Sequence, residues 1–105
     1  MVMQIPSLLA KARGGSVSNN FTVGVASLIV RDVMEHRKQA VFINDSDTTI
    51  YLAKGDRAVL HAGIRLNPNG GVWILEPDTL GQIWTGPISA ISSAGAKNLC
   101  FTEDW

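Results

Sequence analysis

Cysteine occurs once in this chain of 105 residues, tyrosine once and histidine twice, and no excess charge of either sign exists, since nine basic residues balance nine acidic ones. Each scarcity excludes something. The single thiol, Cys100, cannot build an intrachain disulfide framework or a thiolate zinc site. Lying between Leu99 and Phe101, it reads as a small hydrophobe in a strand. Balanced charge provides no field to draw in nucleic acid or an anionic membrane surface, so neither is expected as a partner. No apolar run approaches transmembrane length. The amino-terminal apolar residues Ile5, Leu8, Leu9 and Ala10 have no basic segment before them and are too few for a signal core.

What the chain does have is apolar surface, with hydrophobic residues at 46% and charged residues at 17%. A chain of this length builds one domain around one modest core. The apolar surplus then points to subunit contacts, and an oligomer is expected.

Residues 1–20 differ in texture from the rest. Gly14-Gly15-Ser16 and Ser18-Asn19-Asn20 favour loop over regular structure. They suggest a flexible arm, either ordered against a neighbour or disordered, with a turn or two of helix available over Ser7 to Arg13. From Phe21 onward the pattern is that of strands. Thr22 to Val30 is rich in β-branched residues, and Arg31 to Lys38 is open between a helical turn, a polar connection and the charged face of an edge strand. Gln39 to Ile43 and Thr48 to Leu52 flank Asn44-Asp45-Ser46-Asp47 and read as a hairpin. Gly63 to Leu66 runs into the turn residues Asn67-Pro68-Asn69-Gly70, followed by Val72 to Leu75, Gln82 to Trp84, Ile88 to Ile91 and Asn98 to Thr102. Turn signals recurring at this spacing, with no segment long enough for a core helix, imply an all-β sandwich or barrel.

Residues that could carry chemistry are few. His36 and His61, with Glu35, Asp32 and Asp56, lack the close spacing of a metal-binding pair, and Asn44 to Asp47 lacks the acidic pattern of a calcium loop. Ser89, Ser92 and Ser93 have no nucleophile elbow around them. The glycines of Gly63 to Gly71 do not open a helix, which argues against a phosphate cradle. No catalytic residue, cofactor or metal is expected. Trp73, Trp84, Trp105 and Tyr51 suit either core and interface packing or a platform for a sugar ring. A terminal Trp105 is expected to dock on its own domain or on a neighbour.

Four segments carry a family resemblance: Val41-Phe42-Ile43-Asn44, Ile50-Tyr51-Leu52, Gly63 to Gly71 and Gly86-Pro87-Ile88-Ser89-Ala90-Ile91-Ser92. In these, the run from Arg37 to Glu103 resembles small tail- and capsid-associated virion proteins of tailed bacteriophages. That resemblance implies a noncatalytic structural protein, a small antiparallel β-sandwich of jelly-roll-like form, working as a homo-oligomer such as a trimer. The expected organisation is an arm over 1–20 and a sandwich over 21–105. The implied role is a capsid decoration (cement) protein whose partner is the major capsid protein, made in the host cytoplasm and placed on the virion's capsid surface. The alternative is a tail or fibre component binding a host glycan through an exposed Trp. Expected contact residues are Ile5, Leu8, Leu9 and Trp105, with Arg57 and Arg65 in charged pairing at the rim.

Overall fold

The computed structural model describes residues 14–105, and among these there is no helix. Eight strands follow in order: β1 (Ser16–Val23), β2 (Leu28–Arg31), β3 (Gln39–Asn44), β4 (Ile50–Lys54), β5 (Ile64–Leu66), β6 (Gly71–Leu75), β7 (Ile88–Ser92) and β8 (Lys97–Asp104). They form two four-stranded antiparallel sheets, ordered β1-β8-β3-β6 (sheet A) and β2-β7-β4-β5 (sheet B). Every consecutive pair of strands except β4–β5, a hairpin within sheet B, is split between the two sheets. This order is that of a jelly roll, a double-sheet sandwich.

The core follows from alternation. Ala40 and Phe42 of β3, Trp73 and Leu75 of β6, and Leu99 and Phe101 of β8 point inward from sheet A. Val30, Ile50, Leu52, Leu66, Ile88 and Ala90 meet them from sheet B. Phe42 stands at the centre, stacked on Trp73 with ring centroids 5.5 Å apart and tilted against Phe101 at 6.5 Å. Sheet B has a second, smaller apolar cluster on its outer face. There Tyr51, Ala53 and Ile91 are roofed by Ala58 and Leu60 of the β4–β5 loop.

The jelly roll corrects two readings of the sequence. β3 and β4 are not a hairpin, because they belong to opposite sheets and residues 45–49 bridge the sandwich. Asn44 is the reason. Fully buried at the end of β3, it donates from Nδ2 to the carbonyls of Thr48 (2.8 Å) and Leu66 (3.0 Å), while its Oδ1 accepts from the Ser46 hydroxyl (2.7 Å). The β5–β6 corner is sewn to the same point, with Asn69 N–H on Ser46 O and Gly70 N–H on Asn44 O, both at 2.8 Å. Positive φ at Asn69 and Gly70 makes the corner possible. The Gly63-to-Gly71 stretch is therefore a strand and a crossing between sheets.

The second correction concerns 16–30. Thr22 to Val30 has the β-branched texture of strand, but the chain bends over 24–27 and sends β2 into the other sheet. β1 begins at Ser16, so 16–20 is regular strand paired with β8 rather than arm, and the sandwich starts there rather than at Phe21. Even Gly15 is held. Gly15 and Trp105 exchange both backbone hydrogen bonds, at 2.9 and 3.0 Å, and the indole lies so close that a Cβ on Gly15 would sit 2.7 Å from Cζ2. A glycine read as flexible is required for close approach.

Candidate functional site

The expected contact residues do not converge on one surface. Ile5, Leu8 and Leu9 lie outside the described residues. Arg57, exposed in the β4–β5 loop, and Arg65, exposed on β5, share the outer side of sheet B, where Arg65 bonds Asn67 Oδ1 at 3.0 Å. Trp105 is half-buried against Gly14 and Gly15 at the far end of β1, docked on its own domain. The four aromatics of the suggested sugar platform are also dispersed. Trp73 packs on Phe42, Tyr51 lies under the β4–β5 loop with its hydroxyl 3.0 Å from His61 Nδ1, and Trp84 stands in the β6–β7 loop. His36 is exposed in the β2–β3 loop, and no three His, Cys, Asp or Glu among the described residues are placed to share a metal ion.

Three features stand out instead. The first is the outer face of sheet A. Val41 and Ile43 of β3 are directly opposite Ile74 and Val72 of β6, and Ile43 is opposite Cys100 of β8. Val72 and Ile74 are 52% and 48% exposed. These five residues form an apolar half-face with no cover among the described residues, next to an edge strand, β6, without a charged residue or proline. The β1–β8 half of the same face is polar, with Ser18 bonded to Thr102 at 2.9 Å and Asn20 to Asn98 at 2.6 Å. Sheet B, apart from Ile29 on its edge strand, buries its outer apolar residues beneath its own loop. Sheet A does not.

The second is a charged network inside one end of the sandwich. Glu103 continues the inward series of Leu99 and Phe101, and its side chain is fully buried, as is that of Arg37. Arg37 Nε donates to Glu103 Oε2 at 2.6 Å, and Arg31 reaches Oε1 from β2 at 2.5 Å with its guanidinium 4.6 Å from the centre of the Phe101 ring. Arg37 also donates to the carbonyls of Asp32 (2.9 Å), Trp84 (2.9 Å) and Gly86 (3.0 Å). One carboxylate and two guanidiniums thus lock the β2–β3 and β6–β7 loops to β8. Sequence reading missed this because charge in a loop normally means solvent. The available signal was Glu103 in phase with two core residues.

The third is an open cleft of about 360 Å³ between the end of β4 and the β6–β7 loop, lined by Lys54, Leu75, Glu76, Asp78, Gln82, Ile83 and Trp84. At the opposite end of sheet A, Lys97 donates to Asp47 at 2.7 Å, and this hydrogen bond, with a second from Thr48, holds the Asp47 carboxyl below the usual aspartate range.

No protein-family model, curated protein or solved structure matches this chain.

Proposed function

We propose that this is a noncatalytic virion structural protein of a tailed bacteriophage, a capsid decoration protein that sits on the outer capsid surface as an oligomer and reinforces the shell. The observation that carries the reading is the uncovered apolar half of sheet A. A second copy of the chain is its occupant. β6 offers an unprotected edge beside the patch, and natural proteins normally blunt such an edge unless something pairs with or covers it. A patch on the order of 300 Å² gives roughly 7 kcal/mol of gross burial. Association costs consume most of that for one contact, so the effect depends on many copies acting together.

The sequence resemblance supports the same reading from another side. Its carriers, Asn44 and the Gly63-to-Gly71 corner, do structural work: they lace the two sheets together. Rigid shape is what a reinforcing protein needs. The arm residues Ile5, Leu8 and Leu9 take the contact with the major capsid protein in this proposal, on sequence grounds alone.

Purified heads provide the test. The full chain should co-sediment with them in stoichiometric amount, and light scattering of the free protein should give a trimer. Removal of residues 1–13, which leaves β1 intact, should release it from heads. Absence of the protein from heads overturns the proposal, and a monomer unaffected by Ile74→Lys removes the role of sheet A. The alternative, a tail or fibre component binding a host glycan, loses its shared Trp platform but retains Trp84.

A further inference from the structure

The β6–β7 loop leaves the sandwich without regular structure, yet its carbonyls are bonded one after another. Trp84 O and Gly86 O accept from Arg37, Thr85 O accepts from Met34 N–H at 2.8 Å, and Pro87 O accepts from Gly55 N–H at 2.8 Å. Residues 84–87 form a fixed shelf. On it the Trp84 indole is oriented by its own Nε1–H, which donates to Pro87 O at 2.9 Å, and by Gly86, where a Cβ would come 2.5 Å from indole Cζ2. Trp84 is still 37% exposed and lines the cleft. A large aromatic held in one orientation with its polar atom satisfied, and left partly in water, has been preorganised for a ligand rather than for packing.

The rest of the cleft is polar, and its loop is fixed at Asp78. Asp78 Oδ1 accepts from Leu80 N–H (2.8 Å) and Gln82 N–H (3.0 Å), closing a tight turn over 78–82. Its Oδ2 has no hydrogen bond among the described residues. Glu76, Gln82 and Lys54 supply carboxylate, amide and ammonium groups around the indole. An apolar flat face ringed by both donors and acceptors matches a pyranose, whose C–H face is apolar and whose rim is hydroxyls. With two carboxylates against one ammonium, the cleft repels uronates and sialates. The volume lies in the small-ligand range and accommodates a mono- or disaccharide.

We propose that this cleft is a carbohydrate site for neutral hexopyranose or N-acetylhexosamine units, stacked on Trp84 and hydrogen-bonded by Glu76, Asp78, Gln82 and Lys54. It shares no residue with the sheet A patch, so it stands or falls separately from shell binding.

The test is a titration of the ¹⁵N-labelled full chain with maltose, cellobiose and N,N′-diacetylchitobiose, with digalacturonate as the anionic probe. At least one neutral disaccharide should saturably shift the Trp84 indole N–H and the amides of 76–84, leaving the Trp73 and Trp105 indoles unmoved. Trp84→Ala should weaken that sugar by at least about tenfold with the strand amides unchanged. Should Trp84→Ala disturb the strands, Glu76→Ala and Gln82→Ala replace it, and each must lower affinity. No saturable shift with any neutral probe, preference for digalacturonate, or unchanged affinity in the variants overturns the proposal.

Discussion

Glu103→Gln isolates the charge of the buried network from its shape. The side chain keeps its size and one acceptor, so no cavity opens, but Arg37 becomes a fully buried cation with carbonyls alone around it. Breaking a buried pair from one side costs about 3–5 kcal/mol, and the retained acceptor places this variant near about 3 kcal/mol. A domain of this length has only about 5–15 kcal/mol in total. In urea, with a slope of about 1.5 kcal/mol per molar, the midpoint should fall by about 2 M. Arg31 adds little to the loss, being partly exposed and able to reach water. Arg37→Met tests the other side, leaving Glu103 with Arg31 but three loop carbonyls without their donor. The two changes should couple by about 1.5–3 kcal/mol in a double-variant cycle, because both remove the same Arg37–Glu103 contact. A Glu103→Gln loss under about 1 kcal/mol, or simple additivity, would refute the reasoning.

Three further outcomes can be measured. Asn44→Ala leaves the buried carbonyl of Leu66 without its side-chain donor, while Thr48 O keeps the Ser46 hydroxyl at 3.0 Å, and should cost about 1–3 kcal/mol by chemical denaturation. Ile74→Lys, on the exposed side of an edge strand, should change stability by less than about 0.5 kcal/mol while shifting gel-filtration elution toward monomer. The Asp47 carboxyl, lowered first by the hydrogen bond from Lys97, should titrate below ordinary aspartates by NMR and move back up in Lys97→Met. Because its folded pKa is depressed, the small stabilisation it gives is present above the unfolded aspartate pKa and disappears as pH falls through the folded one.

Much of the strand inventory was legible because apolar residues announce themselves in a local pattern. Gln39 to Ile43, Ile64 to Leu66, Val72 to Leu75 and Ile88 to Ile91 are found close to their observed places. Pairing was not legible. Asn44-Asp45-Ser46-Asp47 has the composition of a reversing turn, and nothing local shows that Asn44 will bond a carbonyl 22 residues away and carry the chain across the sandwich. Tyr51 reads as half of an alternating strand, yet β4 is buried on both faces because a loop folds back over it. The cleft was visible only as an exposed-Trp option. What fixes Trp84 there is Arg37, whose neighbours His36 and Lys38 are solvent-facing, so its own burial depends on Glu103, 66 residues on.

The pairing of β1 with β8 has a mechanical consequence. Ser16 is opposite Asp104, and beyond them Gly15 and Trp105 close the ladder with two hydrogen bonds. Tension applied between residue 14 and Trp105 therefore acts at one corner of sheet A and opens the ladder like a zipper, one pair at a time, without loading the rest. Tension entering at residue 14 and leaving through sheet B must instead separate the two sheets across Phe42 and the Arg31–Glu103 bridge. Such a domain is weak as a link in a linear string and strong as a tile anchored through opposite faces.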